Sequence, residues 1–237
     1  MSTPPAGHQY DTVWRDVYGD IQELGPVHRH MRRLTAGLLA ELDYRDALEV
    51  GCGAGHNLAL LAGHRPLANV AGADVSQEAL RRARQRSDGD LFELDIETAA
   101  LEGTWDLVFS SLVLEHLRDD VGALRHMCAM SARHLLLTTI AGPFDRYGPW
   151  ERQVGHVRNY RPGELEGKLE QAGATVQRAI YWGFPFYSPI SRLAQNRWRA
   201  EPSFSRSTRL VAQMLHAVYR MNSSRRGDLL IVHATVA

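Results

Sequence analysis

Three glycines at alternate positions, Gly51, Gly53 and Gly55, follow the run Leu48-Glu49-Val50 and stand just before a stretch that can open a helix. A glycine-rich turn between a strand and a helix lets ligand oxygens reach backbone N–H groups at the helix N-terminus. Spacing separates the ligand classes. A dinucleotide loop reads G-x-G-x-x-G, which would put its third glycine at position 56, where His56 stands instead. Glu49 would also offer a pyrophosphate an unwelcome negative charge. Other chemistries lack their residues. Neither Cys52 nor Cys128 follows a proline in the manner of a pyrimidine C5 nucleophile, and no G-x-S-x-G elbow occurs. The two cysteines make no CxxC or Cys/His metal pattern and no disulfide framework.

The elements that must carry this loop alternate along the chain. Residues 47–50, 70–73, 90–94, 106–110 and 135–140 are short apolar or β-branched runs, with helical patterns at 77–86 and 121–132 between them. That order predicts an α/β fold, a seven-stranded and mostly parallel Rossmann-like sheet with helices on both faces. Residues 163–172 form a helical pattern stopped by Gly173, and 175–182 and 229–236 are the last two strand candidates. Ahead of the sheet, 13–24 and 27–42 read as helices, the second opened by Pro26. The predicted organisation is an N-terminal helical cap at 1–43, a core at 44–182, a helical insertion at 183–227 and the last core strand at 228–237.

Glu49-Val50-Gly51-Cys52-Gly53-Ala54-Gly55 resembles the E/D-x-G-x-G-x-G signature of class I S-adenosylmethionine (SAM)-dependent methyltransferases. The resemblance stays in register: Asp74 comes 23 residues after Gly51, Asp95-Ile96 follows the third strand, and WDLVFSSLVLEHL (105–117) looks like the fourth-strand motif. It implies SAM as cofactor, with S-adenosylhomocysteine (SAH) as product, and Asp74 on the ribose hydroxyls, since one carboxylate can accept from two neighbouring OH groups. It implies Asp95 on the adenine amino group, with Glu49, Cys52, Val75, Ile96, Ser110 and Leu112 completing the cofactor contacts. His56 is open between contacting the cofactor and capping the next helix. SSLV after the fourth strand is not the N/D-P-P-Y/F of exocyclic amine methylation.

A sulfonium methyl is already activated, so the protein's task is alignment, and a general base helps only where an alcohol or phenol must lose a proton. The candidates after strands four and five are His156, His116, Asp145, Tyr160 and Glu151. GHVRNYRPGELEGKLEQAGA (155–174) resembles a segment of the ubiquinone-biosynthesis-like and type 11 small-molecule methyltransferases that walls the substrate site, with Arg161 in place of the usual Ser or Thr cap. His156 is therefore read as base or orienting residue, against the alternative that it ties the loop to the sheet. Glu115 and His116, followed by Asp119 and Asp120, offer a set of Mg²⁺ ligands; the preferred reading gives His116 a place near the reaction centre with no metal.

The chain of 237 residues has zero net charge, 44% hydrophobic and 23% charged residues, a composition for one sizeable core. Its charge is uneven: residues 183–226 hold eight arginines, Arg192, Arg197, Arg199, Arg206, Arg209, Arg220, Arg225 and Arg226, against Glu201 as their one acid. With six aromatics interspersed, this stretch reads as a lid over an apolar acceptor, a peripheral membrane contact, an RNA-binding surface, or a packing or dimer element with solvated arginines. The lid leads the functional readings, and nucleic acid is not expected as a partner. The start, MSTPPAGHQY, has neither a basic nor a long apolar region, so the sequence reads as cytoplasmic. The expectation is a SAM-dependent methyltransferase of a small, partly apolar acceptor, methylated at oxygen.

Overall fold

Every strand-like run after residue 45 becomes a strand in the computed structural model, which describes residues 20–195 and 203–236. The strands are β1 (Asp46–Val50), β2 (Asn69–Asp74), β3 (Leu91–Glu93), β4 (Trp105–Ser111), β5 (Ser131–Ile140), β6 (Ala174–Trp182) and β7 (Leu229–Val236). They form one sheet in the order β3-β2-β1-β4-β5-β7-β6, with β7 antiparallel to both neighbours and the pairs from β3 to β5 parallel. β1 is buried from Ala47 to Val50 and β4 from Leu107 to Ser110, because helices cover both faces of the sheet.

The helices are α1 (Asp20–Leu24), α2 (Pro26–Leu39), α3 (His56–His64), α4 (Gln77–Ala83), α5 (Asp120–Ala129), α6 (Gly148–Gln153), α7 (Glu164–Gln171), α8 (Arg192–Gln195) and α9 (Arg206–Tyr219). Their starts have visible causes. Pro26 sits in the first turn of α2, while the Ser76 and Asp119 side chains accept from the Ala79 and Gly122 N–H groups and so cap α4 and α5. At α7, Gly163 takes the capping place in the left-handed region, and the Glu164 carboxylate accepts from the Arg161 N–H at 3.0 Å. The reaching-back acid supplies one half of a capping box, and the half that a Ser or Thr side chain would supply is not made.

Two expectations shift. The helix read at 121–132 ends at Ala129, because Ser131 pairs with Trp105 and opens β5. Of the first helix read at 13–24, Asp20–Leu24 is helical and residues 13–19 lie outside the described residues.

Each sheet face has its own core. One packs Leu124, Met127, Leu165 and Leu169 of α5 and α7 on Val108, Leu135 and Val232. The other packs Met31, Leu38, Leu58 and Leu80 of α2, α3 and α4 on Leu107, Leu136 and Ile231, and takes in Trp182, Tyr187 and Tyr219. This second core joins the cap to the insertion: the His30 ring stacks between Trp182 and His216, at centroid distances of 5.1 and 4.2 Å, and its Nε2 bonds the His216 carbonyl at 2.8 Å. The insertion is therefore docked on the cap through α9 and α2.

Candidate functional site

The glycine loop leaves β1 and turns back against β2, where the Ala73 carbonyl accepts from both the Gly51 and Cys52 N–H groups, at 2.7 and 2.9 Å. Gly51 has φ +73°, and a Cβ there would stand 2.2 Å from Val113 Cγ2, so only glycine fits. Asp74, at the end of β2, fixes the loop from the other side: one carboxylate oxygen accepts from Gly53 N–H and the other from Ser76 N–H, both at 2.9 Å.

A pocket opens over these strand ends. Its inner wall is Val50, Gly51, Cys52, Gly53, Asp74 and Val75, and its sides are Leu94, Asp95, Ile96, Leu112, Val113 and Leu117. Three carboxylates, those of Asp74, Asp95 and Glu97, among apolar side chains and a glycine turn suit a nucleoside, whose hydroxyl and amine groups donate to acids, and do not suit a phosphate. This donor set fits SAM. Leu112 holds φ +57° in that wall, a strained conformation for a branched side chain, with its N–H bonded to the Thr138 carbonyl at 2.9 Å.

Three residues read as cofactor contacts lie elsewhere. Gly55 packs on α4, where a Cβ would meet the Ala83 backbone at 3.1 Å, so it serves helix packing. Ser110 is buried and donates to the Val50 carbonyl at 2.9 Å; its neighbour Ser111 lines the pocket, because adjacent strand residues face opposite ways. Glu49 is fully buried beneath the loop and accepts from Asn57 Nδ2 at 2.7 Å, and burial raises its pKa well above the carboxylate range.

Apart from His56, the outer wall was not read from the sequence. It comes from α1 and one face of α2: Gln22, His28, Met31, Arg32 and Thr35, with His56 and Asn57 from α3. His28, Met31, Arg32 and Thr35 follow the i, i+3, i+4, i+7 spacing of a single helical face, which is the signal that could have found them. Arg32 donates to the Gln22 and Glu23 carbonyls at 2.7 and 2.9 Å, which fixes its guanidinium at the pocket without neutralising it. Among the described residues none of 183–227 lines this pocket.

The catalytic candidates separate. His116 lines the pocket, and its Nδ1 bonds the Gly155 carbonyl at 3.1 Å; a carbonyl only accepts, so the proton sits on Nδ1 and the lone pair on Nε2. Burial first, and then His156, lowers its pKa to about 3. His156 stands one ring behind, edge-on to His116 with centroids 4.7 Å apart. Its Nδ1 bonds Glu151, and its Nε2 lies 3.9 Å from Glu115. Glu151 is itself ion-paired with Arg192. Burial raises the pKa of Glu115 and opposes ionisation of Glu151, where the His156 hydrogen bond and the Arg192 charge outweigh it and hold the carboxyl low.

Tyr160 is fully buried and its hydroxyl donates to Asp120 at 2.8 Å, which leaves it no path to an acceptor. Asp145 is exposed in the turn Asp145–Tyr147 and takes no part in the pocket wall. The Mg²⁺ set read from the sequence is not assembled. Asp119 caps α5, and Asp120 is held by Arg158, Lys168 and Tyr160 at 2.6–2.8 Å. Glu115, His116 and His156 do bring donor atoms within 4.8 Å of one another, but their hydrogen bonds and ring contact wire them to Thr139, Gly155 and Glu151.

Comparison with known proteins agrees with this geometry. Residues 25–179 match the family described as a methyltransferase domain. The chain belongs to that family, and its fold is that of the class I SAM-dependent methyltransferases. It is 35% identical over 168 residues to the trans-aconitate 2-methyltransferase of Azoarcus sp. (strain BH72), covering 68% of this chain and 63% of the relative. With the enzyme of that name from Rhodopseudomonas palustris (strain BisB18) it shares 31% identity over 157 residues, 58% of each chain. The chain thus spans about three fifths of the length of these curated relatives. In fold it resembles the N-methyltransferase NodS from Bradyrhizobium japonicum WM9, crystallised with SAH, at a TM-score of 0.64 and 19% identity, over 96% of this chain and 97% of NodS. It also resembles the magnesium protoporphyrin IX methyltransferase ChlM from Synechocystis PCC 6803 with bound SAH, at a TM-score of 0.63 and 18% identity, over 98% and 95%.

Proposed function

We propose that this chain transfers a methyl group from SAM to a carboxylate oxygen of a small organic acid, forming a methyl ester. Bound SAM supplies a methyl group already activated by its sulfonium. In this reading the Gly51 and Gly53 backbone cradles the cofactor, Asp74 and Asp95 accept from its nucleoside, and Ile96, Leu112 and Leu117 wall the base.

The charge state of the pocket's histidines and arginine carries the acceptor class. Burial, with neighbouring cations and rings adding to it, lowers His28 and His56 to about 4 and His116 to about 3. At neutral pH these three rings are uncharged and weakly basic. Such a wall removes a proton from an alcohol poorly, whereas a carboxylate needs no proton removed. Arg32 gives the acid a fixed positive charge among the neutral rings, with guanidinium donors matched to carboxylate geometry. His116 then serves as a ring wall that holds the acceptor in line with the methyl group. The trans-aconitate 2-methyltransferase relatives support a carboxylate acceptor.

The test supplies methyl-labelled SAM with trans-aconitate and a set of short di- and tricarboxylates. An ester releases its label as methanol under mild alkali, and that is the expected product. Label that resists alkali would mean an ether or N-methyl product, returning the assignment to a hydroxyl or amine acceptor with a histidine base. SAH binding with no label transferred to any acid would reject the acceptor class.

A further inference from the structure

We infer that Arg192, in the segment between β6 and β7, is a positioning residue for the two histidines at the pocket; only the kinetic half of its test rests on the methyl-transfer reading above. Arg192 is 2% exposed and touches three distant parts of the chain. Its Nη1 donates to the Ala141 carbonyl at 2.9 Å and lies 3.1 Å from the Asp228 carboxylate. Its Nη2 donates to Glu151 Oε1, and its guanidinium lies over the Tyr147 ring at 4.0 Å. The end of β5, α6 and the start of β7 are thereby held to one charge. The other described arginines of the segment, Arg206, Arg209, Arg220, Arg225 and Arg226, are exposed.

Glu151 makes this more than a structural clamp, because its two oxygens face in two directions. Oε1 accepts from Arg192 and, at 3.2 Å, from Asn159 Nδ2; Oε2 accepts from His156 Nδ1. The Glu151 backbone carbonyl also takes the His156 N–H at 2.8 Å, so one residue fixes that ring by side chain and main chain. His156 meets the edge of His116, and the adjacent Gly155 carbonyl bonds His116 Nδ1. The line Arg192, Glu151, His156, His116 therefore runs from the insertion to the pocket wall through direct contacts. Without the guanidinium, Glu151 becomes a buried anion that must take up a proton or turn toward water, and either change releases the His156 ring.

The decisive experiment records histidine-ring NMR signals of the full chain with SAH bound, in Arg192→Met and Arg192→Lys, beside kcat and KM with SAM and trans-aconitate. In Arg192→Met the His116 and His156 ring signals should move while those of His233, on β7, stay in place. kcat should fall by about a hundredfold, the scale of misplacing a catalytic group by an ångström, at an unchanged KM for SAM. Arg192→Lys restores the charge and should bring the ring signals back toward wild type, with kcat recovering to within about tenfold. Should the methionine variant not fold, Arg192→Gln takes its place, keeping donors without the charge. Unmoved His116 and His156 signals in a folded uncharged variant, or a kcat per folded molecule equal to wild type, would overturn the assignment. If the wild type forms no ester from trans-aconitate, the acceptor reading fails and the ring signals alone still decide the role of Arg192.

Discussion

The two halves of the site are built by different means. The nucleoside half is a backbone construction: a glycine turn pressed on Val113, with a single acid, Asp74, bracing it through two N–H groups. The proposed acceptor half is a side-chain construction, in which His116, His156, Glu151 and Arg192 are each held by the next and come from three separate stretches of chain. A backbone cradle depends on a few short-range conformations, so it keeps its shape whatever the surface around it does. A side-chain relay depends on every member, and it can be retuned by changing any one of them.

That contrast can be tested from its strongest consequence to its weakest. Asp74→Ala removes two charge-assisted hydrogen bonds and an acceptor facing the pocket, and SAH affinity should fall by about a hundredfold or more by calorimetry. Because the same carboxylate braces the loop, thermal stability should fall as well; unchanged SAH affinity would break the cofactor assignment.

Acid should strike the histidines of the pocket wall first. His28 and His56 are lowered from 6.5 to about 4, and His116 to about 3. The unfolded chain therefore binds protons that the folded rings refuse, and stability present above pH 6.5 is lost as pH falls toward those lowered values. Urea midpoints at pH 7 and pH 4.5 should differ by less in His28→Asn than in the wild type. An identical difference would show that His28 is not held neutral by its surroundings.

Leu112→Gly should separate the two properties of the nucleoside wall. It relieves a left-handed backbone at about 1 kcal/mol, set against the greater freedom of glycine in the unfolded chain, while deleting an apolar wall. SAH affinity should weaken by about tenfold with little change in Tm. A large loss of Tm would mean that Leu112 is a core residue first.

Tyr160→Phe is the smallest expected effect. Its hydroxyl belongs to the Asp120 ion cluster, so about 1 kcal/mol of stability goes and kcat stays. A collapse of kcat at constant Tm would restore Tyr160 to the catalytic candidates.

The same division governs what the sequence discloses. Gly51, Gly53, Asp74 and Asp95 were legible because they stand in consecutive motifs that resemble those of the family, and all four line the pocket. Gly55 and Ser110 belong to the same set of motifs, but the path of one turn and the alternation of one strand point them away from the pocket. The outer wall was legible only as a helical face, since nothing in His28 or Arg32 tells which face of α2 meets a ligand. Arg192 looked like one of eight arginines in a basic segment. Its burial depends on Ala141, Glu151 and Asp228 converging from 36 to 51 residues away, which no local pattern encodes. His156 was read as base or orienting residue, and the structure places it behind His116 for the same reason: which of two histidines reaches the pocket is settled by the path of residues 155–160.

The position of β7 carries a further consequence for how the molecule comes into being on the ribosome. β7 lies between β5 and β6 and pairs with both, yet it is made after them. Until residues 229–236 leave the exit tunnel, β6 has no neighbour and β5 shows an open edge of unpaired peptide groups. The nascent chain must carry that adhesive edge for the whole synthesis of the insertion, and holding it apart from other chains in that interval is a natural task for a chaperone.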